Sequence, residues 1–499
     1  MKPQTQPASS PPRSTANSAA RRVATSAKLA PTPTRPAPAR TPGQKVEDVD
    51  FYSLRQTRIR EENERAAQLR LVPTEAPVEV EADPLSPIEN EQFERLVKSK
   101  TAKSKAVRTR RAKVPCAPCH WGLLMAAMLL TALSIPLVYS ASTAIALDQH
   151  GGNPDFFLSR QIGFALAGFA VMISASRLSP AKVRGWSWIF YAVAVLGLVL
   201  TKFSPLGTSM GNTERWVKLG PITLQFSELA KIALIGVMAD FWSRASRDSQ
   251  RSMWPWLAAA VLGGIPIALT FIQPHLSATL VLFAVALSIA FFAGAPMRHF
   301  GWIFGTLIAG GLLAISLCKA GTMPLIAPYQ QARIASHFSA ADKTAGKTSQ
   351  YQQDQGKRAL MRGGVKGRGV GASLYKQGHL PAPHTDFIYA VIGEEWGLLG
   401  TLGLLAIYGS VVFFCFQIGH SAVRSFDSLL CAGVGTLLGV QAAGNIGVVS
   451  GLLPVTGMPL PFLTYGGSGL ICALLGVGLV LAISRAQCEG NSGQEKAEG

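Results

Sequence analysis

The chain has 499 residues, a hydrophobic content of 48%, a mean hydropathy of +0.26 and a formal net charge of +19. The averages hide two parts of opposite character: about 115 residues rich in Pro, Ala, Ser, Thr, Lys and Arg, then long apolar runs with few charges. That division excludes a wholly soluble multidomain protein and implies a polytopic membrane protein.

The basic excess is shared, +9 in the first 115 residues and +10 in the rest. Beside a membrane it points to anionic lipid head groups, and with no aromatic-interleaved binding motif no nucleic-acid partner is expected. Residues 1–45 read as disordered, and short amphipathic patterns occupy Val46 to Arg70 and Ile88 to Val97. No apolar core of a cleavable signal peptide is seen at the N-terminus. Lys98 to Lys113 holds eight basic residues and no acidic one, a juxtamembrane segment suited to an anionic inner leaflet. Cys116-Ala117-Pro118-Cys119-His120 matches the haem c attachment pattern literally. Its expected cytoplasmic side and the lack of an evident haem pocket make a juxtamembrane turn the better reading. Of the seven cysteines, Cys318, Cys415, Cys431 and Cys472 fall in apolar runs, where buried thiols are common.

Ten spans are expected at about 121–143, 161–178, 185–202, 226–243, 254–271, 276–294, 299–317, 390–417, 428–450 and 463–484. The fold class is therefore an all-α polytopic membrane protein, in three parts: a tail (1–115), a ten-span domain (116–487) and a polar C-terminal tail (488–499). The short connections carry Lys182, Arg184, Arg244, Arg247, Arg251, Arg298 and Arg424. By the positive-inside rule these are cytoplasmic, with both termini. Loops 203–225, 318–389 and 451–462 then face outward, the large one between spans seven and eight.

Polar groups at membrane depth are costly and mark function by default. Glu228 and Lys231, three apart in the fourth span, share a helical face and pair either structurally or at a polar site. Arg215 and Lys218 flank Trp216 before that span, suited to phosphate or to interfacial snorkelling. In the large loop, Gly363 to Gly371 interleaves glycines with Lys366 and Arg368, a pattern that gathers amides and charge near an anion or simply makes a flexible loop. The loop closes on His384-Thr385-Asp386, where water meets hydrocarbon. A carboxylate there is partly desolvated and a better base; the alternative is a helix N-cap from Thr385 or Asp386. Asn445 to Gly469 breaks helicity with three prolines and several glycines, implying a polar cleft that opens outward.

Together these segments resemble the SEDS family (shape, elongation, division, sporulation). The matching stretches are Val138 to Ser142, Arg215-Trp216, Gln225 to Lys231, Gln273-Pro274, Tyr351-Gln352, Gly363 to Gly371, Leu380-Pro381, His384 to Ile388, Gly393 to Glu395 and Asn445 to Gly469. The resemblance implies a ten-span peptidoglycan glycosyltransferase polymerising lipid II on the outer face, with Asp386 as catalytic carboxylate. It suggests Arg215, Lys218, Lys366, Arg368, Lys376 and His384 as substrate or pyrophosphate contacts. Glu228, Lys231, Glu394, Glu395, Asn445, Tyr465 and Ser468 are the polar intramembrane set. Implied partners are lipid II, a class B penicillin-binding protein and other division or elongation proteins. The sequence does not settle a cofactor; a divalent cation, magnesium or manganese, at the pyrophosphate is compatible by similarity, though no ligand cluster is readable.

Three departures stand out. His275 occupies a position where many relatives have Asp, and Ser227 one where Pro is usual. Val455-Thr456-Gly457 is more like the elongation branch, whereas Tyr139 to Gln161 is more like the division branch, which is preferred. An elongation-type polymerase, a lipid II flippase and a non-catalytic scaffold are the competing readings.

Overall fold

The computed structural model describes residues 120–149, 151–204, 207–209, 214–219, 222–245, 252–319, 347–378, 380–381 and 383–498. The expected disordered tail, the polybasic segment and the cysteine pair at 116–119 lie outside the described residues.

Helices occupy every segment read as a span. They are α1 (Trp121–Gln149), α2 (Phe156–Ser176), α3 (Pro180–Phe203), α4 (Phe226–Arg244), α5 (Met253–Ile272), α6 (Leu276–Phe292) and α7 (Met297–Lys319). After α8 (Lys347–Gly363) come α9 (Ile388–Ser421), α10 (Ser425–Ser450) and α11 (Gly467–Glu498). Among the described residues seven of them (α1, α2, α3, α5, α9, α10 and α11) are long and apolar enough to cross a membrane. Of the others, α6 has only 17 residues, and α4 carries Glu228, Lys231, Asp240 and Arg244. The chain is a polytopic helical membrane protein.

Local chemistry sets several boundaries. Pro180 stands at the first position of α3, where its missing N–H costs nothing. Gly451, with φ +85°, ends α10 in a left-handed turn. The bundle is built around α4 and α10, which bury nearly every face; α11 packs along α2, α9 along α10 and α3 along α4. Leu166, Ile189, Leu196, Leu257 and Phe413 point outward, and Trp121, Trp186, Trp254 and Trp302 stand exposed near helix ends. That is the distribution of a lipid-facing surface with aromatic anchors.

One expectation needs correction. The fold is not purely helical: the connection before α4 holds an antiparallel sheet of β1 (Gly207–Ser209), β2 (Glu214–Leu219) and β3 (Ile222–Leu224). Leu219 pairs with Ile222 across the β2–β3 ladder, and Val217 is buried while Lys218 is exposed. The large loop holds α8, which packs on α9 and α10. Gln353 of α8 donates through Nε2 to the carbonyls of Val448 (3.0 Å) and Leu453 (2.7 Å).

Candidate active-site cleft

A cleft of about 250 Å³ opens at the end of the bundle formed by the sheet, the start of α9 and the 451–466 segment. Its polar lining comes from Arg215 of β2, Glu228 of α4, His275 before α6, Asp386 before α9, Gln441 of α10 and Thr456. Six separate stretches of chain thus converge on one pocket.

Asp386 is held by its backbone. The Asn445 side chain donates through Nδ2 to the carbonyls of Asp386 (2.8 Å) and Met458 (2.7 Å), tying the two loops to α10. Tyr465 N–H donates to the His384 carbonyl at 3.0 Å, and Tyr408 donates its hydroxyl proton to the Pro461 carbonyl. Phe387, rather than Thr385 or Asp386, occupies the N-cap position of α9. The Asp386 carboxylate faces Gly457: a Cβ there would lie 3.1 Å from Oδ2, and φ is +71°.

The His384 ring packs against Phe157 (4.8 Å between centroids) and Tyr465 (5.7 Å), and burial pushes its pKa down to about 4. It is neutral at physiological pH. His275 is held well below its ordinary value by burial, with Arg215 and Lys231 adding to the effect. Arg215 donates through Nη2 to the Pro274 carbonyl at 2.5 Å. Glu228 and Lys231 form a buried pair at 2.6 Å, as their spacing predicts. Ser468 accepts from the Gln225 N–H at 3.1 Å, joining the start of α11 to that of α4.

Other expected contacts lie elsewhere. Lys218, Lys366 and Arg368 are not among the lining residues; Lys218 and Lys366 are exposed, and Arg368 donates to the Arg362 carbonyl at 3.1 Å. Lys376 is buried, and its ammonium is committed to Glu395 (2.8 Å), Ser140 (2.7 Å) and the Gly371 carbonyl (2.7 Å). Glu394 accepts from Ser373 Oγ (2.5 Å) and the N–H groups of Leu374 (3.1 Å) and Tyr375 (3.2 Å).

The glycine-rich segment is spliced into a break in α9. At Gly397 (φ +68°, ψ −164°) the helix breaks. The carbonyls of Glu394 and Glu395 accept from the N–H groups of Arg368 and Gly369, both at 3.0 Å. In return Leu398 and Leu399 donate to the carbonyls of Gly364 (2.9 Å) and Val365 (3.2 Å). Backbone groups orphaned at membrane depth are thereby satisfied by a neighbouring strand of chain.

Sequence reasoning missed Gln441 and, as lining residues, His275 and Thr456. The signal for Gln441 was present: it lies four residues before Asn445, so two amides share one face of an apolar helix. Among the described residues no group of three or more His, Cys, Asp and Glu is placed to hold a metal ion. Asp386 and Glu228, the latter paired with Lys231, are the carboxylates that a divalent cation brought in with a pyrophosphate would meet in the cleft.

A profile of the FtsW/RodA/SpoVE family, described as cell cycle proteins, matches residues 120–489. The chain is 32% identical over 366 residues to the "Probable peptidoglycan glycosyltransferase FtsW" of Coxiella burnetii, covering 72% of this chain and 95% of that one. It is 31% identical over 365 residues to "Stage V sporulation protein E" of Bacillus subtilis, covering 73% and 96%. Among solved structures, a chain described under "Structural coordination of polymerization and crosslinking by a peptidoglycan synthase complex" superposes with a TM-score of 0.60 at 28% identity. The match covers 74% of this chain and 98% of that one. The rod shape determining protein RodA of Thermus thermophilus gives 0.53 at 26% identity over 74% of this chain and 97% of that one. By the match over residues 120–489 the chain belongs to the FtsW/RodA/SpoVE family of cell cycle proteins.

Proposed function

We propose that the chain is a peptidoglycan glycosyltransferase of cell division that polymerises lipid II in this cleft, with Asp386 as the general base. The observation that carries the reading is one carboxylate, Asp386, and one guanidinium, Arg215, lining the same cleft. Asp386 takes the proton from the acceptor hydroxyl as that oxygen attacks the anomeric carbon of the lipid-linked chain. Undecaprenyl pyrophosphate departs, and Arg215 steadies its charge. The Glu228–Lys231 pair holds the neighbouring wall rather than taking a proton, because each partner already neutralises the other. Asn445, Tyr465 and Ser468 fix the loops around the base.

The membrane domain crosses ten times, with the cleft outside and both termini in the cytoplasm. Lys182, Arg184, Arg244 and Arg424 fall at the opposite ends of α3, α4 and α10 from the cleft, in agreement with the positive-inside rule. A class B penicillin-binding protein is the expected partner, since the structural neighbour comes from a complex that couples polymerization to crosslinking. Anionic lipid is the expected partner of the polybasic stretch 98–113. Purified full-length chain with its partner and lipid II tests the reading. Glycan strands that disappear in Asp386→Ala support it; strands of wild-type length and rate from that variant overturn it. Lipid II crossing proteoliposomes without strand formation would select a flippase instead.

A further inference from the structure

We propose that His275 contacts the bound lipid-linked pyrophosphate and takes up a proton as it binds, so that the chain holds its substrate more tightly as pH falls. The inference rests on reading the cleft as the lipid II site. The backbone of His275 is fixed: its N–H donates to the Thr270 carbonyl (3.0 Å), and its own carbonyl accepts from Thr279 N–H (3.1 Å) and Oγ1 (3.0 Å). The ring lines the cleft with 5% of the residue exposed, and its Nδ1 is buried without a hydrogen-bond partner. A ring that lines a binding cleft and keeps a buried nitrogen without a partner carries a cost that an anionic ligand beside it can offset.

The charges around the ring explain the direction. Burial is the larger cause, and the cations Arg215 from β2 and Lys231 from α4 add to it, so the ring stays neutral in the substrate-free protein. Glu228 from α4 and Asp386 ahead of α9 line the same cleft with opposite sign, and Glu228 is paired with Lys231. Tyr465 and the Cys472 thiol complete the titratable lining from the α11 side. A pyrophosphate brings two negative charges into this set and is itself fully ionised across the neutral range. It offsets the cations and favours imidazolium. The proton comes from solvent and settles on the imidazole, and no other covalent bond is made or broken. The charged ring then donates to a phosphate oxygen, a stronger contact than a neutral donor gives.

Linkage sets the size. Between the pKa of the free and of the occupied ring, affinity rises by at most about tenfold for each unit of falling pH. The experiment is lipid II binding to the full-length chain in nanodiscs, between about pH 5.5 and pH 8, with melting temperature as the check on folding. Wild type is expected to tighten at least about threefold per unit of falling pH. His275→Gln keeps the wild-type melting temperature and is flat with pH, at about the affinity of wild type at the alkaline end; His275→Asn serves as its second neutral replacement. A wild-type slope retained in both variants, or weaker wild-type binding at low pH, overturns the inference. Absence of lipid II binding at every pH overturns it together with the polymerase reading. Strand synthesis surviving in Asp386→Ala, with the His275 slope intact, removes only the catalytic assignment.

Discussion

Asn445 is the residue on which the placement of Asp386 depends most directly. Its amide spans the carbonyls of Asp386 and Met458 from a fully buried position, so no water can replace it without a cavity. Asn445→Ala should destabilise the protein by about 2 kcal/mol through the two orphaned carbonyls. It should also slow polymerisation by roughly a hundredfold, because a base displaced by about 1 Å loses most of its advantage. Melting temperature and strand synthesis measured on the same preparation check both figures. Gly457 acts from the other side. Gly457→Ala places a methyl group 3.1 Å from the Asp386 carboxylate at a φ of +71°, so activity should fall with little change in lipid II affinity.

His384 gives a prediction of a different kind. Its folded pKa of about 4 lies below the ordinary 6.5, so the unfolded chain binds the extra proton first as pH falls. The stability this group permits is complete above about pH 6.5 and is lost progressively toward pH 4, by up to about 3 kcal/mol. Thermal unfolding in detergent should show this slope in wild type and a shallower one in His384→Gln.

The element that departs furthest from regular geometry is α9. Its break at Gly397 leaves carbonyls and amides that only the 363–371 segment satisfies, and that segment must run within contact distance of the helix. A Cβ on Gly397 would fall 2.3 Å from Gly367 N, and one on Gly367 would fall 2.2 Å from the Glu395 carbonyl. Gly397→Ala should therefore prevent folding of the α8–α9 unit, read as loss of monodisperse protein. The Lys376–Glu395 pair clamps the same splice. Lys376→Met should cost about 3–5 kcal/mol because it strands a buried carboxylate. Adding Glu395→Gln should recover part of that loss, and a melting series over the three variants measures the coupling.

Among the described residues, two clusters of buried charge lie toward opposite ends of the helix bundle. At one, Asp240 is wholly buried and gathers Arg184 (2.5 Å), Arg244 (2.8 Å) and the Trp188 indole (2.8 Å), which fastens α3 to α4. At the other lies the cleft. Helix α10 joins the two ends with 26 residues, roughly 39 Å of helix, enough to cross the hydrocarbon. Cysteines introduced at Val423 and Leu452, exposed by 67% and 78% near its two ends, should label from opposite sides of the membrane. Leu452→Cys should react with an impermeant thiol reagent in intact cells and Val423→Cys only after lysis.

The spans were legible in the linear order of residues because a membrane helix must satisfy its backbone within itself and show lipid an apolar surface. Both demands are local, so apolar runs reveal them, and the same holds for the Glu228–Lys231 pair set by helical spacing. The three-stranded sheet escaped because its strands of three to six residues carry too little alternation to stand out. The cations were not separable by sequence. Arg215, Lys366, Arg368 and Lys376 have similar local settings, yet only Arg215 lines the cleft. Lys376 and Glu395 meet on Ser140, more than 230 positions upstream. Composition and hydropathy by themselves determined that the chain is a helical membrane protein; the tertiary structure alone decided which polar groups face the cleft and which brace it, because the charge a buried group meets depends on residues far away along the chain.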